Sequence, residues 1–266
     1  MVTNTRALTI YQLLFFVFMI TMNALANALP LNGYNTGEIS ALYPNLFVPA
    51  GFTFSIWGVI YLLLLGYTVY STSLLWKKNE SNLLLKPVTY VANYFTLTCA
   101  LNGTWILMWH FLQIELSLLF MLGLLVTLLL IYVKLKAHRI QLKGIKYLFL
   151  YVPFIVYLGW ISVATIANTT ALLVHYKWSG IGISEEAWSC IMICIATLLS
   201  VYFSVSQKSF VYSAVIAWAL YGISVSQSSS MAIILFAYAG IALSVVTALA
   251  GVFTMRKARS FKQPDQ

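Results

Sequence analysis

Residues 45–61 read NLFVPAGFTFSIWGVIY, a Pro-Ala-Gly turn that runs straight into a strongly apolar helix carrying Phe54, Trp57 and Tyr61. Pro49 and Gly51 supply the turn, since proline fixes φ and glycine frees it. The aromatics follow at intervals of three and four, which places all three on one helical face. What surrounds a helix this apolar is answered by the rest of the chain.

The 266 residues are 61% hydrophobic and 8% charged, with a mean hydropathy of +0.89. No water-soluble domain keeps so much apolar surface covered, so the chain is an integral membrane protein. Its spans are helices, because open strands leave their backbone unsatisfied in lipid. Apolar runs of roughly 17 to 25 residues, enough to cross a bilayer core, fall at 8–29, 52–76, 88–112, 116–133, 147–174, 187–206, 209–225 and 231–255. The expected fold class is all-α with eight transmembrane helices.

The connectors test that count, because Lys and Arg gather on the cytoplasmic side. Arg6, then Lys77, Lys78 and Lys86, then Lys134, Lys136, Arg139, Lys143 and Lys146, then Lys208, and finally Arg256, Lys257, Arg259 and Lys262 all fall on one face. Of the 15 Lys and Arg residues only Lys177 falls on the other, beside Glu38, Glu115, Glu185 and Glu186. One helix more or fewer would scramble this split, so both termini are predicted cytoplasmic. The net charge of +9 sits in short membrane-flanking runs, where topology and anionic lipid account for it, and no nucleic-acid partner is implied. Arg6, the apolar run after it and Ala-Asn-Ala at 26–28 also fit a signal peptide with its cleavage site. Cys99, Cys190 and Cys194 all lie within spans and give neither a disulfide framework nor a metal site.

The one long outer connector, Pro30 to Gly51, has the length of a lid or binding loop, and Tyr34, Leu42, Tyr43 and Phe47 give it reason to fold back over the bundle. A plain tether is the alternative. Further on, Ser184 is placed to cap the sixth span, with Glu185 and Glu186 against the helix dipole. On the eighth, Gly240, Ser244 and Ala248 form a small-residue seam that suits a contact within one chain or between two copies in a homodimer.

No Asp, Glu, Lys or Arg lies at membrane depth, which disfavours an ion-driven pump. The interior offers Asn, Trp and Tyr instead. On the fifth span Pro153, Tyr157, Trp160, Ala164 and Asn168 fall within about an 80° sector. On the third, Tyr94, Thr98, Asn102, Trp105 and Trp109 form a similar stripe, and Phe54, Trp57 and Tyr61 form one on the second. An amide facing hydrocarbon costs several kcal/mol unpaired, so Asn102 and Asn168 should face inward. Such stripes suit a cavity for a planar, mostly apolar ligand. The alternative is interfacial anchoring and helix packing, which is adequate for Trp76, Trp109, Trp178 and Trp188 near span ends and less so for Trp57 and Trp160. Pro153 removes one backbone bond and is expected to kink its helix. His110 at the end of the third span is expected to be solvated, and nothing resembles a nucleophile with its base or a paired carboxylate site.

In VPAGFTFSIWGVIY, ALNGTW and VPFIVYLGWISVATIAN the chain resembles the translocator-protein or tryptophan-rich sensory protein family (TspO/MBR), over about residues 8–174. The resemblance implies a five-helix unit, residues 1–176, whose loop 30–51 closes over a pocket for porphyrins or haem-like ligands and, in some members, sterols or drug-like molecules. Residues 177–266 would then be an added three-helix unit with a basic cytoplasmic tail. Trp57, Tyr61, Asn102, Trp105, Trp160, Ala164 and Asn168 match positions that would line the pocket, with Phe54 and Tyr157 on the same stripes. Pro49, Gly51 and Pro153 would serve as lid and hinge. No cofactor is required. The expectation is a membrane sensor, regulator or carrier for a small hydrophobic ligand, in a bacterial plasma membrane. A transporter is the alternative, and a light-dependent porphyrin-degrading enzyme the next. The chain departs from the family pattern in having Pro49-Ala50 for a paired proline, in lacking tryptophans in the first loop, and in placing Lys177 directly after Tyr176, where the sterol-contact pattern fails.

Overall fold

Every expected span is helical in the computed structural model, which describes residues 4–29, 31–76, 82–138 and 142–260. Pro30 and the flanking charges Lys77, Lys78, Arg139 and Lys262 lie outside the described residues, as do the side chains of Arg256, Lys257 and Arg259. The long helices are α1 (Thr5–Ala28), α3 (Ile56–Trp76), α4 (Asn82–His110), α5 (Ile114–Ala137), α7 (Val152–His175), α8 (Glu185–Val205), α9 (Phe210–Ser226) and α10 (Met231–Ser260). Two short ones, α2 (Thr36–Ala41) and α6 (Ile145–Leu150), precede α3 and α7. Six described helices are long and apolar enough to span a membrane. The other two long elements fall short for different reasons. The 17 residues of α9 are few for a bilayer core, and α4 is diluted by Asn93, Thr96, Thr98, Asn102 and Thr104.

The chain divides into two compact units. The first, residues 1–44 and 54–176, is a ring of five helices in which α1 packs on α4, α4 on α5, α5 on α7, α7 on α3 and α3 on α1. α3 approaches its two neighbours less closely than the others approach theirs. Large rings act as spacers there: Tyr67 of α3 meets Phe95 of α4 and Phe154 of α7 edge to face, at 4.8 and 4.7 Å between centroids. Phe95, next to the striped Tyr94, is the ring that enters this core, while Tyr94 pairs with Tyr90 of its own helix.

The fifth span is not one kinked helix. It breaks at Tyr151 (φ −113°, ψ −52°), and Pro153 stands in the first turn of α7 instead of inside a continuous helix. Its ring would clash with the Phe149 carbonyl and it has no N–H to donate there, so α6 ends and α7 restarts.

The outer loop also differs from a chain of turns. Asn35 and Glu38 form a capping box around α2: the Asn35 side chain accepts from the N–H groups of Gly37 and Glu38, and the Asn35 N–H donates to the Glu38 carboxylate at 2.7 Å. Residues 31–44 then fold against the end of α4, as the loop's aromatics suggested. Asn32 Nδ2 donates to the His110 carbonyl at 3.1 Å, and Trp109 Nε1 to the Thr36 carbonyl at 3.3 Å. Residues 45–53, expected to complete the lid of the first unit, belong instead to the second unit with residues 177–266.

That second unit is built on α8, α9 and α10, each packed on the other two. Ser184 caps α8 by accepting from the Ala187 N–H. The α10 seam is used within the chain: a side chain at Gly240 would strike Thr197 of α8 and Leu220 of α9, and Ser200 Oγ donates to Ser244 Oγ at 2.7 Å. Ser204 and Ser213 form a second hydroxyl pair, between α8 and α9. In lipid, where apolar surface gives no net attraction between helices, close packing and such hydroxyl pairs hold them together. Gly240→Val is expected to cost about 1–3 kcal/mol by forcing the three helices apart, and Ser244→Ala only about 0.6 kcal/mol. Detergent-unfolding midpoints of the two variants check that order.

Candidate functional site

The three stripes meet at Trp57. Its indole stacks on Tyr61 of α3 (5.5 Å between centroids, 20°) and leans on Trp105 of α4 (5.7 Å). From α7, Tyr157 and Trp160 approach it edge to face at 5.9 and 6.2 Å. Phe54 closes the group edge-on to Trp160 at 6.0 Å, and Trp105 continues it by stacking on Trp109. Edge-to-face and offset contacts suit rings whose faces are negative and edges positive, so the cluster is attractive as well as space-filling. Trp105, Tyr157 and Trp160 are buried, whereas Phe54, just before α3, and Trp57 and Tyr61 on α3 are half-buried. The more open side of the cluster is thus that of the helix that packs least tightly.

Both amides point inward and are fully engaged. Asn102 accepts from Asn23 Nδ2 at 2.7 Å and donates to the Tyr157 hydroxyl at 2.8 Å, tying α1, α4 and α7 together. Asn168 accepts from Trp105 Nε1 at 3.1 Å and donates to Ser117 Oγ of α5 at 3.0 Å. The glycine after Asn102 has a physical reason: a side chain at Gly103 would collide with the Phe18 ring of α1. Its absence lets α1 approach closely enough for Asn23 to reach Asn102. Ala164 lies one turn beyond Trp160, half-buried, and contributes no polar atom.

One polar atom in the cluster, Trp160 Nε1, is buried without a protein partner. A buried N–H without an acceptor costs about 1–3 kcal/mol, so its presence calls for an explanation.

Pro49 and Gly51 are not among these rings; they belong to the 45–53 segment of the second unit. Pro153 lies in the first turn of α7, one turn before Tyr157. Two residues expected at the interface are interior. Trp109 is buried against Tyr43 and Trp105, and His110 is completely buried, with Nδ1 at 3.2 Å from the Leu31 carbonyl and Nε2 at 3.2 Å from Thr36 Oγ1. The outer loop covers both, which proximity to a span end could not reveal. Asn23, Asn27, Thr36 and Ser117 were missed. The α1 residues were legible: Gln12, Phe16, Met19, Asn23 and Ala26 recur at fours and threes and form its buried face. That pattern marks the face of α1 that packs in the bundle. Among the described residues no three of His, Cys, Asp and Glu come together as a metal site requires.

Among curated proteins and among solved structures nothing matches. A family model described as TSPO-like protein matches residues 9–250. The match runs past the 8–174 stretch of the resemblance, through α8 and α9 and into α10, so the three later helices belong to the matched unit. Aromatic clusters on membrane-spanning helices fit a ligand-binding membrane protein, and the chain belongs to the TSPO-like protein family.

Proposed function

We propose that the protein takes up a planar hydrophobic ligand of the porphyrin type among the rings around Trp57, and serves as its sensor, regulator or carrier. The observation that carries this reading is the unpartnered Trp160 N–H inside an aromatic cluster otherwise complete in its hydrogen bonding at Asn102 and Asn168. A flat ligand with acceptors at its edge, such as a carboxylate or carbonyl, supplies what Trp160 lacks while its faces stack on indole and phenol. The rings pack on one another, so the ligand enters by parting them and stacking between them. Trp57, half-buried and carried by the loosely packed α3, is the ring that stacks on the ligand's face. The hydrogen bonds of Asn102 and Asn168 do not have to break for this, because they join α1, α4, α5 and α7.

The distribution of Lys and Arg supports an orientation with both termini in the cytoplasm and the 175–186 connector outside. In a variant lacking Cys99, Cys190 and Cys194, Ser179→Cys should react with a membrane-impermeant maleimide in intact cells, and His138→Cys only after permeabilisation. The reverse pattern would invert the topology.

Protoporphyrin IX titrated into the protein in nanodiscs should quench tryptophan fluorescence saturably. Trp57→Ala and Trp160→Ala should each weaken the affinity about tenfold, which is ~1.4 kcal/mol, while Trp178→Ala in the second unit should leave it unchanged. Equal affinity in all three variants would place the ligand elsewhere.

A further inference from the structure

Residues 45–53 are strapped to α9 by three contacts of different kinds. The Ala50 N–H donates to the Gly222 carbonyl at 2.9 Å, and Trp218 Nε1 donates to the Thr53 carbonyl at 3.0 Å. The Phe52 ring meets Trp218 edge to face at 5.5 Å and leans on Tyr221 at 5.9 Å. Trp218, Tyr221 and Gly222 stand at i, i+3 and i+4, so one face of α9 presents all three. Gly222 makes the fit possible: a side chain there would fall on Thr53 Oγ1 and come within 2.9 Å of its Cγ2. Thr53 is β-branched and completely buried, so it has little freedom to move aside.

The strap ends where the aromatic site begins. Gly51–Ser55 is a single 3-10 turn, and the next covalent bond after Thr53 leads to Phe54, which packs on Trp160. Thr53 and Phe54 both lie in this 3-10 helix, which runs directly into Ile56, the first residue of α3. A hold on the Thr53 carbonyl is therefore a hold on Phe54 and on the backbone that leads into the helix carrying Trp57 and Tyr61.

We propose that α9 positions the aromatic site: Trp218 and Gly222 fix the 45–53 strap, the strap fixes the first turn of α3, and release of the strap frees Trp57 from its place among the rings. Trp218, Gly222 and Thr53 are positioning residues that touch no ligand. This explains why a family unit for binding a hydrophobic ligand extends through α9, and it rests on the reading that the Trp57 rings take up such a ligand.

The test uses the full chain in nanodiscs. Without ligand, Gly222→Ala should raise amide hydrogen exchange about tenfold over both 45–53 and 54–61. Gly222→Ala combined with Thr53→Ala, which removes the two nearest atoms and leaves only the Thr53 Cβ at 3.0 Å, should restore both segments toward wild type, a recovery that general misfolding would not give. Protoporphyrin IX affinity should fall about tenfold in Gly222→Ala and return in the double variant. Trp218→Phe keeps the ring and removes the N–H; it should shift the same readouts in the same direction by a smaller factor, and it decides the matter if Gly222→Ala does not fold. Faster exchange over 45–53 with 54–61 unchanged overturns the proposal, as does a released strap with affinity within about twofold of wild type. If the wild-type protein does not take up protoporphyrin IX at all, the ligand reading is lost, and exchange over 54–61 alone decides whether α9 holds α3.

Discussion

An amide in the interior of a membrane protein has no water to fall back on, and the first unit is organised around meeting that requirement. Asn102 is the clearest instance: it is completely buried, and its two partners come from α1 and α7. Losing either would strand a donor or an acceptor in a medium where each costs several kcal/mol. The close approach of α1 at Gly103 and the inward turn of Tyr157 follow from the same need. Asn168 repeats the arrangement one step around the ring with Trp105 and Ser117. Four helices are thereby pinned to one another, and the fifth, α3, meets them through aromatic rings around Trp57 and through a buried hydrogen bond from Gln12 Nε2 of α1 to Ser71 Oγ at 2.9 Å.

This division of labour separates stability from adaptability. Hydrogen bonds between buried amides are directional and break at a cost, so α1, α4, α5 and α7 form a frame with one arrangement. Ring-to-ring contacts are worth about 0.5–1.5 kcal/mol each beyond the area they cover, and they tolerate sliding and tilting. Around Trp57, α3 meets that frame through rings. The lone N–H of Trp160 stands on the frame side of that boundary, facing the adaptable side.

Much of this was legible in the sequence, because helical periodicity is a local property. The spacings that aligned Phe54, Trp57 and Tyr61, or Tyr157, Trp160 and Asn168, depend only on 3.6 residues per turn, and the structure brings those residues together. Where the reading relied on distance from a span end it failed, as for Trp109 and His110, which are covered by a loop whose capping box, Asn35 and Glu38, was itself readable. Tyr94 was preferred to Phe95 because a stripe drawn across several turns does not resolve neighbouring positions. The restart of the helix at Tyr151 was half visible, since Pro153 announces a fault but not whether the chain bends or begins again. Asn23 stood apart from the three aromatic stripes, and its partner Asn102 lies 79 positions away in the chain. The docking of residues 45–53 on α9 lay beyond reach in principle: it joins positions 165 apart in the chain, and nothing local to either marks the other.

That separation has a bearing on biogenesis. At about 5–20 residues per second, a ribosome needs roughly ten to thirty seconds to pass from Thr53 to Trp218. Throughout that interval the nascent protein has its early helices in the bilayer while the landing place for its outer loop does not yet exist. Until α9 is made, the Ala50 N–H, the Thr53 carbonyl and the Phe52 ring lack the partners they have in the folded chain. Maturation is thus finished from the carboxyl-terminal side, and a truncated translation product that stops before α9 leaves the ribosome with that loop still undocked.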